Sequence, residues 1–205
     1  MGGSSVFMGA LVKMFLAWLS RRKRDRIVSG LDSINDIYQE KNRIRALTRA
    51  CRVLLLVTEN NGGIPQAGTP VFSSVLYESV DESKGLEPIR DHWQKRPLDD
   101  EYAELIHRVL KDGRVSLKQE DTRETSVLGV AYRAAGIQRS EVFAIAVTPK
   151  KFFYLTVNFQ LKDMKSESLT AQELDVINGA VAKIRVLLEK RGHDVLPGQP
   201  MRIAK

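Results

Sequence analysis

The sequence has a single cysteine, Cys51, so no intramolecular disulfide framework exists and the fold rests on its core. A single cysteine fits a reducing compartment. Histidine is scarce as well, with three residues. His92, His107 and His193 stand far apart without paired spacing, so no metal constellation and no cofactor are expected. No G-x-S-x-G nucleophile elbow occurs. Gly62-Gly63 has no Lys-Ser/Thr downstream, which excludes a P-loop. These absences argue against an enzyme. Apolar runs of membrane length are nearly absent too. Ser4 to Ser20 supplies only the minimum of about 17 residues for a span.

What is present divides unevenly along the 205 residues. Hydrophobic content of 43% and charged content of 28% are ordinary globular values, which exclude global disorder. The net charge of +7 would suggest nucleic acid if it were spread over the chain. It is not: residues 1–26 carry six basic groups and one acid, and the remainder carries 26 basic and 24 acidic groups. The excess sits in Arg21, Arg22, Lys23, Arg24 and Arg26, directly after the apolar Val6–Leu19 run that ends near Trp18. A basic block beside an apolar rod favours anionic lipid headgroups over a nucleic-acid groove. No nucleic-acid partner is expected.

Several readings of this N-terminal segment compete. The order of charge and apolar core is reversed relative to a signal peptide, and Val6 breaks the myristoylation pattern. A single short span through the inner (cytoplasmic) membrane would place Trp18 and the basic block at the interface and the body in the cytoplasm. Lys13 near its middle costs about 2.5–3.5 kcal/mol on insertion scales. An interfacial or partner-bound helix and a buried assembly segment are the alternatives.

Residues 27–192 read as one α+β domain, followed by an irregular tail, 193–205. Helical periodicity runs over 27–49, and its apolar stripe offers a surface for homodimer pairing. Arg52–Thr58 reads as a buried strand ended by Asn60-Asn61-Gly62-Gly63, and 71–80 as its hairpin partner. Residues 81–98 read as a polar loop containing His92-Trp93, where a tryptophan needs a pocket. Asp99-Asp100-Glu101 opens a helix that stops at Asp112-Gly113. A short strand around Val115 and Leu117 and a short helix, 126–135, follow. Residues 141–147 and 151–161 flank Thr148-Pro149-Lys150 as a hairpin. Thr170-Ala171-Gln172-Glu173 matches a capping box before a final helix. This order implies an antiparallel sheet with the N- and C-terminal helices packed on one face.

The segments RVLLLVTENNGG, FAIAVTPKKFFYLTVNFQ and SLTAQELDVINGAVAKIRVLL, in this order of elements, resemble the GAF domain, a relative of the PAS-type sensor fold. The resemblance implies terminal helices on one side of the sheet and a small-molecule pocket on the other, under the middle helices and loops. The cyclic-nucleotide signature of that family is missing. Chromophore-binding members carry a cysteine beyond the central strands, and here Cys51 lies at the edge of the first strand. The combination of anchor, Asn-Gly-Gly turn and hairpin also loosely resembles short phage and prophage proteins. The expected pocket residues are Asn60, Asn61, Gly62, Tyr77, His92, Trp93 and Tyr102. The implied function is a membrane-anchored, non-catalytic domain that binds a small molecule or a protein partner. The alternative is a ligand-free assembly protein using the same fold.

Overall fold

The computed structural model describes residues 23, 29–60, 70–148, 150–160 and 169–189. The chain divides into two compact units, Met1–Ile37 and Tyr38–Lys205, and the division falls inside a helix, α1, at 29–47. In the first unit, Ser33 Oγ donates to the Ser29 carbonyl oxygen at 2.9 Å. Lys23 is helical and exposed. The expected span at 4–20 with Trp18, the basic residues Arg21, Arg22, Arg24 and Arg26, and the tail 193–205 lie outside the described residues. Among the described residues, no helix is long and apolar enough to cross a membrane.

In the second unit, runs of β-branched, aromatic and leucine residues form an antiparallel sheet. Its strands are β1 (Arg52–Glu59), β2 (Phe72–Val80), β3 (Arg96–Pro97), β4 (Arg114–Lys118), β5 (Ile137–Val147) and β6 (Lys151–Gln160). Their order is β3-β2-β1-β6-β5-β4, so β1 and β6 are central. The helices are α2 (Asp100–Asp112), α3 (Val127–Ala134) and α4 (Ala171–Glu189). β3 and the extension of β5 back to Ile137 depart from the sequence expectation. A two-residue strand ending in proline has no periodicity to read.

Strand alternation sends each set of side chains to one layer. Leu55 opposes Tyr77 and Leu155, and Val53 opposes Ser79 and Val157. On that side lie α4 and the 38–47 part of α1. Lys183 Nζ of α4 meets Glu40 Oε1 of α1 at 2.8 Å. Arg45 Nε donates to Ser79 Oγ at 3.0 Å, tying α1 to β2. Arg185 of α4 donates to the carbonyl oxygens of Ala144 and Ile145, where β5 slips register against β6. The terminal helices therefore share one face, as the order of elements implied.

The opposite face carries Leu54, Leu56, Val75, Val142, Phe152 and Tyr154, packed against Tyr102, Leu105, Ile106 and Val109 of α2 and Leu128 and Tyr132 of α3. The helix ends are locally encoded. Asp99 caps α2, accepting from Tyr102 N at 2.8 Å, and Gly113 closes it at φ 76, a conformation that favours glycine. Ser126 caps α3 by accepting from Gly129 N at 3.0 Å. The capping box of α4 is present: Glu173 N donates to Thr170 Oγ1 at 3.2 Å, and Thr170 N donates to Glu173 Oε2 at 3.0 Å.

Candidate functional site

The α2/α3 face of the sheet is not completely filled. Between it, the two helices and the 85–96 segment lies a cavity of about 640 Å³. Its floor is the alternating set Arg52, Leu54 and Leu56 of β1, with Tyr154, Thr156 and Asn158 of β6 and Val142 of β5. Tyr102 and Leu105 of α2 and Val127, Leu128 and Ala131 of α3 form the roof. Leu86, Ile89, His92, Trp93 and Arg96 close the side beyond β2.

The roof is fastened by one carboxylate. Asp99 Oδ1 accepts from Tyr102 N, and Asp99 Oδ2 accepts from Val127 N at 2.7 Å, so the N-termini of α2 and α3 share a cap. Glu101 adds to this by accepting from Ser126 Oγ at 2.7 Å and from Arg123 Nε at 3.1 Å. Gly129 lets α3 approach: a Cβ there would stand 2.0 Å from the Arg123 carbonyl oxygen.

The side wall is fastened to β2. Val75 N donates to the Trp93 carbonyl oxygen at 3.0 Å, and Lys95 N donates to Ser74 Oγ at 2.9 Å. Glu78 Oε2 accepts from Ile89 N at 2.8 Å and Arg90 N at 2.9 Å. Its other oxygen faces the Arg52 Nε at 3.1 Å, an ion pair not aligned as a hydrogen bond. Arg52 Nη2 donates to the Glu87 carbonyl oxygen at 2.5 Å.

Three hydroxyls meet where the floor joins the roof. Tyr154 OH is 2.6 Å from Ser73 Oγ and 2.5 Å from Tyr102 OH, and Ser73 Oγ is 3.3 Å from Tyr102 OH. Burial pushes the pKa values of the Tyr102 and Tyr154 phenols up, so both stay neutral. Their hydroxyls satisfy one another, so the cavity meets mostly ring. Two other polar atoms of the wall are buried with no partner, Trp93 Nε1 and Thr156 Oγ1.

His92, Trp93 and Tyr102 are brought together in this wall. Tyr77 is not. It lies on the opposite face, edge-on to the Tyr38 ring at 5.2 Å between centroids. Asn60 sits at the end of β1, away from the cavity lining, and Asn61 and Gly62 lie outside the described residues. Arg52, Glu78, Thr156 and the α3 residues went unrecognised from sequence. The continuous apolar run at 52–58 hides which face each residue takes. Among the described residues, no group of three His, Cys, Asp or Glu side chains could hold a metal ion.

Comparison with solved structures shows the GAF fold. The chain is similar to the phycocyanobilin-bound GAF domain from a cyanobacterial phytochrome, with 17% identity and a TM-score of 0.55 over 83% of this chain and 92% of that one. It is similar to a GAF domain from Synechocystis sp. in its photoproduct state, with 16% identity and a TM-score of 0.54 over 77% and 94%. The GAF domain of a two-component sensor histidine kinase from Bacillus halodurans gives 12% identity and a TM-score of 0.51 over 78% and 92%. At these identities the similarity is one of fold. No protein-family model and no curated protein sequence matches the chain.

Proposed function

We propose that this chain is a non-catalytic sensor domain that binds a small molecule in the cavity between the sheet and α2/α3. The observation that carries this reading is an unfilled space of about 640 Å³ whose walls hold two buried, unpartnered polar atoms, Trp93 Nε1 and Thr156 Oγ1. Ligand sites have volumes of roughly 300–1,000 Å³ and are mainly apolar with a few placed polar groups. Each buried polar atom without a partner costs about 1–3 kcal/mol, which a ligand offering the missing partner would offset. The bilin-bound neighbour supports use of this fold for ligands. Binding here is non-covalent: Cys51 is buried outside the lining, and its Sγ donates to the Asn158 carbonyl oxygen at 3.2 Å.

The proposal includes attachment to the cytoplasmic membrane through residues 4–20, with the domain on the cytoplasmic side and the basic block on anionic headgroups. Its support is the crowding of net positive charge into residues 1–26.

Native mass spectrometry of the full chain released gently from detergent tests the ligand reading. A retained small molecule that is lost in Ala131→Trp, which fills the space under α3, supports it. No retained mass, together with no stabilisation across a metabolite thermal-shift screen, favours the assembly reading. Recovery of the full chain in the soluble fraction after cell breakage would remove the anchor.

A further inference from the structure

Arg52 is the first residue of β1, and alternation puts its side chain on the floor with Leu54 and Leu56. It is held in place from one side. Glu78 faces Nε, and the Glu87 carbonyl oxygen takes Nη2, while Nη1 has no acceptor among the described residues. Glu78 accepts two backbone N–H groups on Oε2, while its Oε1 makes no hydrogen bond and faces Arg52. The guanidinium is thus oriented by the fold with a donor edge left over. Burial disfavours its charged form, and an anion in the cavity would relieve that cost.

The other polar features point the same way. The Trp93 indole N–H is a donor only, buried and without an acceptor. Thr156 pairs with Leu54, which makes it the diagonal neighbour of Arg52, about 7–8 Å away, within reach of the same small molecule. At the mouth, the Arg96 guanidinium lies 5.6 Å from the Trp93 ring centroid. Glu87 is the one acid in the lining, and it is exposed, with its backbone carbonyl toward Arg52. The rest of the lining is mainly apolar, with the side chains of His92, Thr125, Ser126 and Asn158 among it. One guanidinium edge plus one indole N–H suits a single planar carboxylate. A phosphate would ask for more donors than these.

Resting on the reading of this cavity as a ligand site, we propose that its ligand is an amphipathic monocarboxylate. Its apolar body packs under α3, and its carboxylate takes Arg52 as counter-ion with the Trp93 indole N–H as a further donor.

The test is calorimetric titration of the full chain with two matched series: indole-3-acetate, indole-3-acetamide and tryptamine; octanoate, octanamide and octylamine. Within at least one series, the carboxylate binds at least about tenfold tighter than its amide, and the amine does not bind. Arg96→Gln weakens the carboxylate about threefold to tenfold and leaves the amide unchanged. Arg52→Gln combined with Glu78→Gln, which removes both buried charges together, abolishes the preference for carboxylate over amide. Equal binding of carboxylate and amide overturns the charge class while leaving the cavity reading intact. If none of the six binds but native mass spectrometry shows a retained neutral or cationic molecule, the carboxylate proposal alone fails. If neither is seen, both readings fail.

Discussion

Arg52 and Glu78 form a diagonal ion pair across β1 and β2, Nε to Oε1 at 3.1 Å, with side chains only 3% and 5% exposed. They are not register partners: Arg52 opposes Val80, and Glu78 opposes Leu54. The diagonal lets one carboxylate serve the guanidinium on the cavity floor and the 89–90 backbone of the cavity wall. Breaking a buried pair from one side leaves an uncompensated charge, which costs about 3–5 kcal/mol. Glu78→Gln should lose about that much in urea unfolding, and Arg52→Met with Glu78→Gln, which keeps an acceptor for the 89–90 backbone, should recover most of it. A single-variant loss below about 1 kcal/mol would show that the pair is not a support of the wall.

Asp99 caps two helices with two oxygens, so its removal should loosen the cavity roof as a unit. Asp99→Ala is expected to cost about 1–2 kcal/mol for each helix end. The loss should appear as faster amide hydrogen exchange at both Tyr102 and Val127. Asp99→Asn keeps one acceptor and should restore one of the two. Faster exchange at Tyr102 alone would mean that α3 is held by Glu101 without help from Asp99.

The parts of this fold that were readable from sequence are those whose signals are local. The Thr170–Glu173 capping box and the acids at 99–101 both mark true helix starts, because a cap is satisfied within four residues. The β5–β6 turn is likewise fixed by its own residues. Long-range pairing was not readable. β5 begins at Ile137, but Gln138, Arg139 and Ser140 look like loop. They are strand because the fully buried Glu141 carboxylate accepts from Arg139 beside it and from Arg114 of β4 at 3.0 Å. Tyr77 illustrates the same limit at the site. Simple alternation groups it with Val75. The register shift opposite Leu55 and Leu56 instead turns Val75 toward the cavity and Tyr77 toward α1.

Glu173 joins the start of α4 to the chain ahead of β1, and its effect should be visible in acid. Arg49 donates to it from Nε at 2.8 Å and Nη2 at 2.7 Å, which holds the carboxyl down to about 2. A carboxylate depressed in the folded state adds stability that is complete above its ordinary range and is lost as pH falls from about 4.5 toward 2. Glu173→Gln keeps the cap but not the charge. It should cost about 1–3 kcal/mol at neutral pH, with the two stability curves converging near the acid end. Parallel curves down to pH 2 would show that Arg49 does not stabilise the ionised form.

Lys41 runs against the usual economy of charge. It lies on α1 with no exposed surface, and its Nζ has no hydrogen-bond partner. The Nζ stands 4.2 Å from the Tyr38 ring centroid and 5.5 Å from that of Tyr77. Loss of hydration lowers its pKa to about 7, with Glu78 acting in the opposite direction and Arg90 in the same one. The unfolded chain therefore holds a proton that the folded chain has released between about 7 and 10.5, and stability rises with pH across that window. Lys41→Met fills a similar volume without the charge. At pH 7 it should be neutral to about 4 kcal/mol more stable than the wild type. The advantage should shrink as pH rises toward 9.5, because the wild-type amine is then already neutral when folded. A constant difference across that range would mean that Lys41 is ionised in the folded protein and that the two tyrosine rings carry its charge.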